Sequence, residues 1–250
     1  MIDLNGKRAL VCGGSKGIGR EICLEFARCG ADVAFSYLKS RDSAVKTAES
    51  ITKMGRKALP LQADLSDPGQ AEHLVEKAAA FLNGLDILVH TAGIFVSQGV
   101  ESISDADWQR VMAVNVNSAF YACRASIPFL KQSGNSGRII LFSSQAALNG
   151  TAHALHYGTS KAAILGMTYS LAKELGPSGV TVNAVVPGRL ETDMLGYADE
   201  ARRKEWLKQT PLGYIGEAGD AAGLTAFLAS DQARYITGAK INVNGGLLMG

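Results

Sequence analysis

The chain has 250 residues, with 25 basic and 23 acidic side chains and a formal charge of +2. Hydrophobic residues make up 47% and charged residues 19%, a balance typical of globular proteins that gives no indication of a nucleic-acid partner. A chain of this length can bury one substantial core, and we predict a single domain over residues 1–250.

The start of the sequence, MIDLNGKRALVCGG, does not have the charged and apolar regions of a signal peptide, and no stretch approaches the roughly 18 apolar residues of a membrane span. The cysteines lack CxxC pairing, so we expect reduced, buried thiols. The histidines have no ligand partners at diagnostic spacing, which predicts no metal site. We therefore expect a cytoplasmic protein that does not contact membranes.

Short apolar runs alternate with longer segments of helical period in the first part of the chain. The runs are KRALVC, DVAFSY, KALPLQ and LDILVH, and the helical segments cover residues 17–28, 42–54 and 68–82. This alternation is typical of βαβ units with a parallel sheet. Strands that are apolar almost throughout indicate that helices cover both faces of that sheet.

The same pattern continues to the end of the chain. Helices are predicted at about 105–131, 155–175 and 217–229, and strands at GRIILFSS, VTVNAVVP and AKINVN. No linker, low-complexity run or repeat marks a domain boundary. The predicted fold class is α/β, a single Rossmann-type doubly wound parallel sheet of about seven strands with helices on both faces.

Residues 189–216 depart from this alternation of strands and helices, because the charged segment ADEARRKEWLKQ lies between Pro187-Gly188 and a stretch that contains Pro and Gly. An insertion here follows the carboxyl end of a strand, where ligands bind in open α/β sheets. It is either a lid over a ligand site or a solvated surface helix.

A glycine-rich turn, Gly13-Gly14-Ser15-Lys16-Gly17-Ile18-Gly19, lies between the first predicted strand and the first predicted helix. Glycines let the backbone approach a pyrophosphate closely, and a helix N-terminus offers unpaired N–H groups and a positive dipole end. In this context the turn predicts a dinucleotide site, and the alternative is a purely structural turn.

With its G-x-x-x-G-x-G spacing the chain resembles the short-chain dehydrogenase/reductase family, whose motifs follow in family order from residue 7 to Gly246. In that family a Thr usually precedes the first glycine, and Cys12 in its place predicts a weaker side-chain brace, which we expect the turn to tolerate because the thiol fills the volume. The resemblance implies a cofactor site made by Gly13, Ser15, Lys16, Gly17, Ile18, Gly19, Tyr37, Lys39, Asp64, Leu65, Ala92, Gly93, Tyr157, Lys161, Pro187, Gly188, Leu190 and Thr192.

The end of the second strand favours NADP(H) as the cofactor. An NAD enzyme usually has Asp or Glu there to accept a hydrogen bond from the ribose 2′-OH. This strand instead ends in Ser36-Tyr37-Leu38-Lys39, and Asp32 lies at its start, too far from that end to serve. Lys16 and Lys39 can approach a 2′-phosphate as cations. The alternative is that both lysines are solvated surface charges.

Two further stretches match the family's cofactor positions. Asp64, after the third strand, stands where the family's carboxylate holds the adenine amino group. The fourth strand ends in His90-Thr91-Ala92-Gly93, which keeps the small residues but departs from the family's asparagines. We expect His90 to be a neutral packed histidine rather than a catalytic one.

Tyr157 and Lys161 are four residues apart in a predicted helix, so their side chains share one face. A tyrosine pKa of about 10 must be perturbed for proton exchange near neutral pH, and we expect the Lys161 ammonium to lower it. Ser144, at the end of the fifth strand, can donate to a substrate oxygen as charge develops.

By resemblance to the family, Tyr157 donates the proton to a carbonyl oxygen, Ser144 orients that oxygen, and Lys161 binds the nicotinamide ribose. Asn115, inside the long helix, is implied to complete a proton relay, although asparagine is a poor helix former. The cofactor itself carries the hydride chemistry. The predicted enzyme is an NADP-dependent reductase of a small-molecule carbonyl substrate.

The carboxyl-terminal third is most similar to the bacterial 3-oxoacyl-(acyl-carrier-protein) reductases, which implies a 3-oxoacyl thioester of the carrier protein or of CoA. The basic residues with which such reductases dock the carrier are replaced by neutral ones at 133–136 and 177–179. Arg189 either pairs with an acidic group of the substrate or faces solvent as a loop arginine.

Two alternatives remain open from the sequence. One is a reductase of small ketones, diketones or polyketide intermediates, and the other is a non-catalytic NADPH-binding scaffold. The family also implies a homotetramer, to which the segments AAILGMTYSLA and GGLLMG are suited, although the same apolar faces can pack within one chain.

Overall fold

The computed structural model describes residues 2–196 and 199–250 of the chain. Its centre is a seven-stranded parallel sheet, and two short strands pair with each other outside it. The central strands are β1 (Arg8–Cys12), β2 (Asp32–Tyr37), β3 (Ala58–Gln62), β4 (Ile87–His90), β5 (Arg138–Phe142), β6 (Thr181–Pro187) and β9 (Lys240–Val243). The short strands are β7 (Leu190–Glu191) and β8 (Gly216–Glu217).

Helices connect these strands, and their ends follow the chemistry of the sequence. Asp67, for example, accepts a hydrogen bond from the Gln70 amide at the start of the third helix, and Pro68 takes its first position. The helices are α1 (Gly17–Arg28), α2 (Arg41–Lys53), α3 (Pro68–Leu82), α4 (Asp105–Met112), α5 (Ser118–Gln132), α6 (Ala146–Asn149), α7 (Leu155–Leu175), α8 (Glu200–Gln209) and α9 (Ala218–Ala229).

Alternate residues of each strand face opposite sides of the sheet, and both sides are buried. In β1, Ala9 and Val11 pack in a cluster with α1, α2 and α9, whereas Leu10 and Cys12 pack in a second cluster with α3, α5 and α7. The predicted doubly wound α/β sheet with helices on both faces is therefore confirmed.

The strand order is β3-β2-β1-β4-β5-β6-β9, so the direction of winding reverses between β1 and β4. The carboxyl ends of these two strands diverge to opposite helical layers, which opens a crevice at that edge of the sheet. The residues predicted for the cofactor and for catalysis all follow carboxyl ends of strands or lie on helices that reach this edge.

The structure departs from the sequence prediction most clearly at the long helix. The long helix expected at 105–131 is two helices, α4 and α5, joined by a π-helical turn at Ala113–Asn117. The segment 189–216 contains the helix α8 between β7 and β8. Tyr197 and Ala198, which belong to that predicted insertion, lie outside the described residues.

Candidate active site

The turn after β1 is built from close backbone contacts that only glycine permits. Gly13 has a φ of +90°, and its amide donates to the Ser36 hydroxyl oxygen over 2.9 Å. A Cβ on Gly19 would lie 2.1 Å from the Gly13 carbonyl oxygen. At the start of α1 no side chain caps the helix. The first amides of α1 are therefore available to an anionic group, which fits a dinucleotide pyrophosphate.

A side-chain brace holds this turn from the neighbouring strand. The Thr91 hydroxyl donates to the Cys12 carbonyl oxygen over 2.8 Å, and the Thr91 amide donates to the same oxygen over 3.0 Å. Residue 12 lacks a hydroxyl, and Thr91, directly after β4, supplies one to the same turn, which agrees with the expectation that the turn tolerates a cysteine.

A small turn orders the loop after β3, where the adenine is expected. The Asp64 carboxylate accepts from the Ser66 amide over 3.0 Å and from the Ser66 hydroxyl over 2.6 Å. The Asp64 amide donates to the Gln70 side chain, and Leu65 is buried beneath the turn. These contacts fix the carboxylate at the carboxyl end of β3.

The residues near the end of β2 support the expected cofactor phosphate site. Asp32 lies at the opposite end of the strand, where its carboxylate accepts hydrogen bonds from the Arg56 side chain and the Lys57 amide. It is therefore not available to a cofactor ribose at the carboxyl end of β2. Tyr37 is half-buried and Lys39 is exposed. A cation at this end is accessible, and the carboxylate that a free 2′-OH would need is not present between residues 36 and 41.

The start of the 189–216 segment lies over the glycine-rich turn. A Cβ on Gly17 would lie 3.7 Å from the Thr192 side chain, and the Lys16 ammonium lies 3.7 Å from the Asp193 carboxylate. Leu190 is buried and pairs with Gly216 in the small β7–β8 sheet. This part of the segment is therefore in contact with the predicted cofactor loop.

The other residues predicted for the cofactor lie along the same edge. The Gly188 amide donates to the Val243 carbonyl oxygen, which ties the end of β6 to β9. A Cβ on Gly13 would meet the Ala92 backbone at 3.1 Å. The structure also places Ser15, which is buried, Ile18, which is half-buried, and Pro187, whose carbonyl oxygen accepts from the Gln145 amide, at this edge.

Arg189, at the start of the 189–216 segment, is half-buried against α8. Its guanidinium stacks on the Trp206 ring at 5.4 Å and donates to the Trp206 carbonyl oxygen and to the Gln209 side chain. Arg202 stacks on the same ring at 5.1 Å. Arg189 therefore fastens α8 to the end of β6.

The four predicted catalytic residues come from three elements that meet at the crevice. Tyr157 and Lys161 lie one turn apart on α7, and the Lys161 ammonium is 5.8 Å from the Tyr157 ring centre. Ser144 follows β5 and is hydrogen-bonded to the Tyr157 phenol. A Cβ on Gly93 would lie 3.2 Å from the Asn115 oxygen and 3.5 Å from the Lys161 ammonium. The predicted set is thus brought together beside the end of β4.

Burial dominates the protonation of these groups. It raises the pKa of the Tyr157 phenol, and the hydrogen bond with Ser144 opposes that rise. It lowers the pKa of Lys161 to about 8, and the ammonium donates to the Phe142 carbonyl oxygen over 2.9 Å. The expectation that Lys161 lowers the pKa of Tyr157 is wrong here, because the ammonium is engaged at β5 and burial is the larger effect.

Asn115 lies in the π-helical turn, where an extra residue in the turn releases the regular hydrogen-bond ladder. Its amide oxygen accepts from the Ile94 amide, and its amide nitrogen donates to the Ile94 carbonyl oxygen and to the Ser160 hydroxyl. Ser160 in turn donates to the Tyr157 carbonyl oxygen. Asn115 thus connects the loop after β4 to the helix that carries Tyr157.

Some contacts of the site carry no signal in the sequence. Phe95 packs edge-on against the Tyr157 ring with a centre distance of 5.0 Å, and 42% of its surface is exposed. Ser36, Ser160 and Thr91 make the hydrogen bonds described above, yet single hydroxyl residues are common in any sequence. His90 is buried against Ser118, and burial lowers its pKa to about 3, which agrees with the predicted neutral packed histidine.

Two other expectations concern metals and membranes. Within residues 2–196 and 199–250, no group of three or more His, Cys, Asp and Glu side chains is placed to hold a metal ion. Among the same residues, no helix has both the length and the apolar character that a membrane crossing requires.

Comparison with known proteins decides the family. A family model described as enoyl-(acyl carrier protein) reductase matches residues 13–248. The 3-oxoacyl-(acyl-carrier-protein) reductase FabG of Staphylococcus aureus is 36% identical over 244 residues, which cover 97% of this chain and 98% of the relative. The chain belongs to the short-chain dehydrogenase/reductase family. As a short-chain dehydrogenase/reductase it is an oxidoreductase that acts on a CH–OH or C=O group.

Two further relatives show the breadth of chemistry among similar short-chain dehydrogenases/reductases. The L-rhamnose 1-dehydrogenase (NAD(P)(+)) of Azotobacter vinelandii is 38% identical over 248 residues and covers 97% of each chain. The crystal structure of a short chain dehydrogenase from Burkholderia cenocepacia in complex with NADP is 38% identical, with a TM-score of 0.93 over 98% of each chain.

Proposed function

We propose that the protein reduces the ketone of a 3-oxoacyl thioester to a secondary alcohol with NADPH, within a single domain over residues 1–250. The observation that carries the proposal is the contact of the Ser144 hydroxyl with the Tyr157 phenol beside Lys161 and Gly93. Two hydroxyl donors that converge on one point are what a carbonyl oxygen needs as negative charge develops on it.

The cofactor is NADP(H), which supplies the hydride when it is bound. The Gly13–Gly19 turn and the first amides of α1 bind its pyrophosphate, and Asp64 and Leu65 bind its adenine. Lys39 and Lys16 bind the 2′-phosphate, and Lys161 binds the nicotinamide ribose. A solved relative in complex with NADP, 38% identical to this chain, supports this assignment.

The chain's own residues then direct the proton. The Tyr157 phenol donates its proton to the carbonyl oxygen, and the Ser144 hydroxyl donates a hydrogen bond to the same oxygen. Because burial raises the pKa of Tyr157, the phenol stays protonated at neutral pH, the form that reduction requires. Asn115 holds the Ile94 backbone and Ser160 beside Lys161, at the end of a relay that returns a proton to the site.

The proposed substrate class rests on the relatives and on the surface formed by the turns at 133–136 and 177–179. FabG relatives support a 3-oxoacyl thioester. A Cβ on Gly179 would lie 2.4 Å from the Asn135 side chain, so the two turns in which the family's basic docking residues are missing lie side by side. We therefore favour a CoA thioester over a carrier-bound one. The L-rhamnose 1-dehydrogenase relative supports a second candidate, a small hydroxy or keto compound.

A substrate panel tests this proposal. NADPH oxidation is measured with acetoacetyl-CoA, acetoacetyl-acyl carrier protein and 2,3-butanedione, and NADP⁺ reduction with L-rhamnose. The proposal requires that kcat/KM be highest for acetoacetyl-CoA. A higher value for the diketone or for the sugar assigns the second candidate instead.

We also propose a cytoplasmic homotetramer. The described cysteines are all unpaired thiols, which fits a reducing compartment. Phe120 on α5 and Tyr169 on α7 expose 46% and 41% of their surfaces, and these helices supply faces for association between copies. Sedimentation velocity tests the tetramer, and a monomer at micromolar concentration contradicts it.

A further inference from the structure

The helix that carries Tyr157 begins without a side-chain cap. Its N-cap residue is Ala154, which has no group to accept a hydrogen bond. The first four amides of a helix have no acceptor within the helix, so they need one from elsewhere. The Tyr157 amide finds it in the Nδ1 atom of His156, at 3.0 Å. A histidine thus takes over the capping function at the residue proposed as the proton donor.

The His156 ring is fully buried, so its geometry is set by packing. Because Nδ1 accepts a hydrogen bond, the neutral ring carries its proton on Nε2. That Nε2 is buried and has no hydrogen-bond partner among the described residues, and the same holds for the Gln98 oxygen Oε1. One group is a donor and the other an acceptor, and buried groups of this kind are normally paired.

Gln98 is held against the segment that leads into α7. Its amide donates to the His153 carbonyl oxygen over 2.6 Å, and it forms an isolated β-bridge with Ala154. Its side-chain nitrogen donates to the Asp107 carboxylate on α4 over 3.2 Å. Hydrogen bonds from Ser104 and Gln98 lower the pKa of Asp107, and His156 adds to that effect from within electrostatic range.

We propose that His156 is a positioning residue for the reaction, whose Nδ1 fixes the backbone of Tyr157 and whose chain segment is held by the contacts of Gln98 with His153 and Ala154. The inference rests on the proposed role of Tyr157. Phe95 packs edge-on against the tyrosine ring, so Phe95 contacts the ring of Tyr157 while His156 holds its backbone amide. A displacement of about 1 Å at a reacting group can cost a hundredfold in rate.

The test compares two replacements that differ in one property. His156→Asn keeps an acceptor near the position of Nδ1, whereas His156→Leu fills a similar volume without one. We expect His156→Leu to lower kcat about ten- to a hundredfold, with KM for acetoacetyl-CoA and Kd for NADPH within about twofold. His156→Asn is expected to retain at least about half of the wild-type kcat.

The matched control is Thr168→Val, which removes a buried hydroxyl from the same helix away from the site and is expected to leave kcat unchanged. If His156→Leu does not fold, Gln98→Met replaces it, with an expected kcat loss of about three- to tenfold at unchanged KM. Wild-type kcat in His156→Leu, or equal losses in the Asn and Leu variants, overturns the inference.

Tyr157→Phe measured beside these variants separates the inference from the function on which it rests. An inactive Tyr157→Phe with a fully active His156→Leu removes only the positioning role. An active Tyr157→Phe removes the proposed function of Tyr157 and the inference with it.

Discussion

The Thr91 hydroxyl donates to the Cys12 carbonyl oxygen over 2.8 Å and so links the last residue of β1 to the residue that follows β4. The two strands are neighbours in the sheet, and Cys12 pairs with His90 in their register. A Cβ on Gly19 would lie 2.7 Å from the same hydroxyl oxygen. The Thr91 side chain therefore supports the phosphate-binding turn directly.

Thr91→Val keeps the volume and removes this hydrogen bond. We expect the free energy of unfolding to fall by about 1 kcal/mol and Kd for NADPH to rise about fivefold, because the turn loses its brace. Urea unfolding and a fluorescence titration measure the two quantities. Thr52→Val, at an exposed position on α2, is the control. A stability loss with unchanged NADPH binding separates the threonine from the cofactor turn.

Tyr157→Phe removes the phenolic hydroxyl and keeps the ring that packs on Phe95. We expect kcat to fall by about 10² to 10⁴, the usual contribution of a positioned general acid, with Kd for NADPH within about twofold. Steady-state kinetics and cofactor titration provide both values. Turnover at the wild-type rate excludes the phenol from proton donation.

Lys39→Ala removes an exposed cation near the end of β2. We expect KM for NADPH to rise about tenfold, as for the loss of one charge-assisted hydrogen bond, and KM for NADH to stay constant. Lys53→Ala, at the last residue of α2, is the matched control and changes neither. Equal losses with both cofactors show that Lys39 does not contact the 2′-phosphate.

Arg189→Ala releases α8 from the end of β6, since the guanidinium donates to Trp206 and Gln209. We expect KM to rise about fivefold for acidic and neutral substrates alike, because the segment over the crevice loses an anchor of roughly 1 kcal/mol. Arg202→Ala, which keeps those two hydrogen bonds, has a smaller effect. A rise confined to acidic substrates assigns the guanidinium to the substrate.

His90→Asn removes a histidine whose pKa is lowered from 6.5 to about 3 by burial and by Lys161. Between these values the unfolded chain binds the proton and the folded chain does not, so the free energy of unfolding falls as the pH falls below about 6.5. We expect the wild type to lose about 2 kcal/mol more than His90→Asn between pH 7.5 and pH 5. Urea unfolding at both pH values checks this, and parallel curves contradict it.

The strands and most helices were predictable because their signals are local. Runs such as VTVNAVVP are apolar throughout, and the glycine-rich turn has its strand and its helix on either side. The π-helical turn at Ala113–Asn117 was not, since the asparagines there indicate only a weak helix and the hydrogen bonds of Asn115 with the Ile94 backbone depend on the assembled fold.

The residues of the site likewise divide into those with a local signal in the sequence and those placed only by the fold. Tyr157, Lys161 and Ser144 were identified by resemblance to the family's motifs, whereas the brace of Thr91 on Cys12 spans 79 positions in sequence and depends on strand register. The effect of Lys161 on Tyr157 depends on burial and on a competing carbonyl oxygen, neither of which spacing reveals. Contacts of that kind require the assembled fold.

The π-helical turn limits how this region can change in evolution or by design. A helix advances by about 100° per residue, so inserting or deleting one position between 105 and 115 would swing the Asn115 amide far from the Ile94 backbone. Replacements of exposed side chains on α4 leave the direction of the Asn115 side chain about the helix axis unchanged. The region is therefore more tolerant of altered chemistry than of altered length, and an indel scan through it should find its sharpest boundary at residue 115.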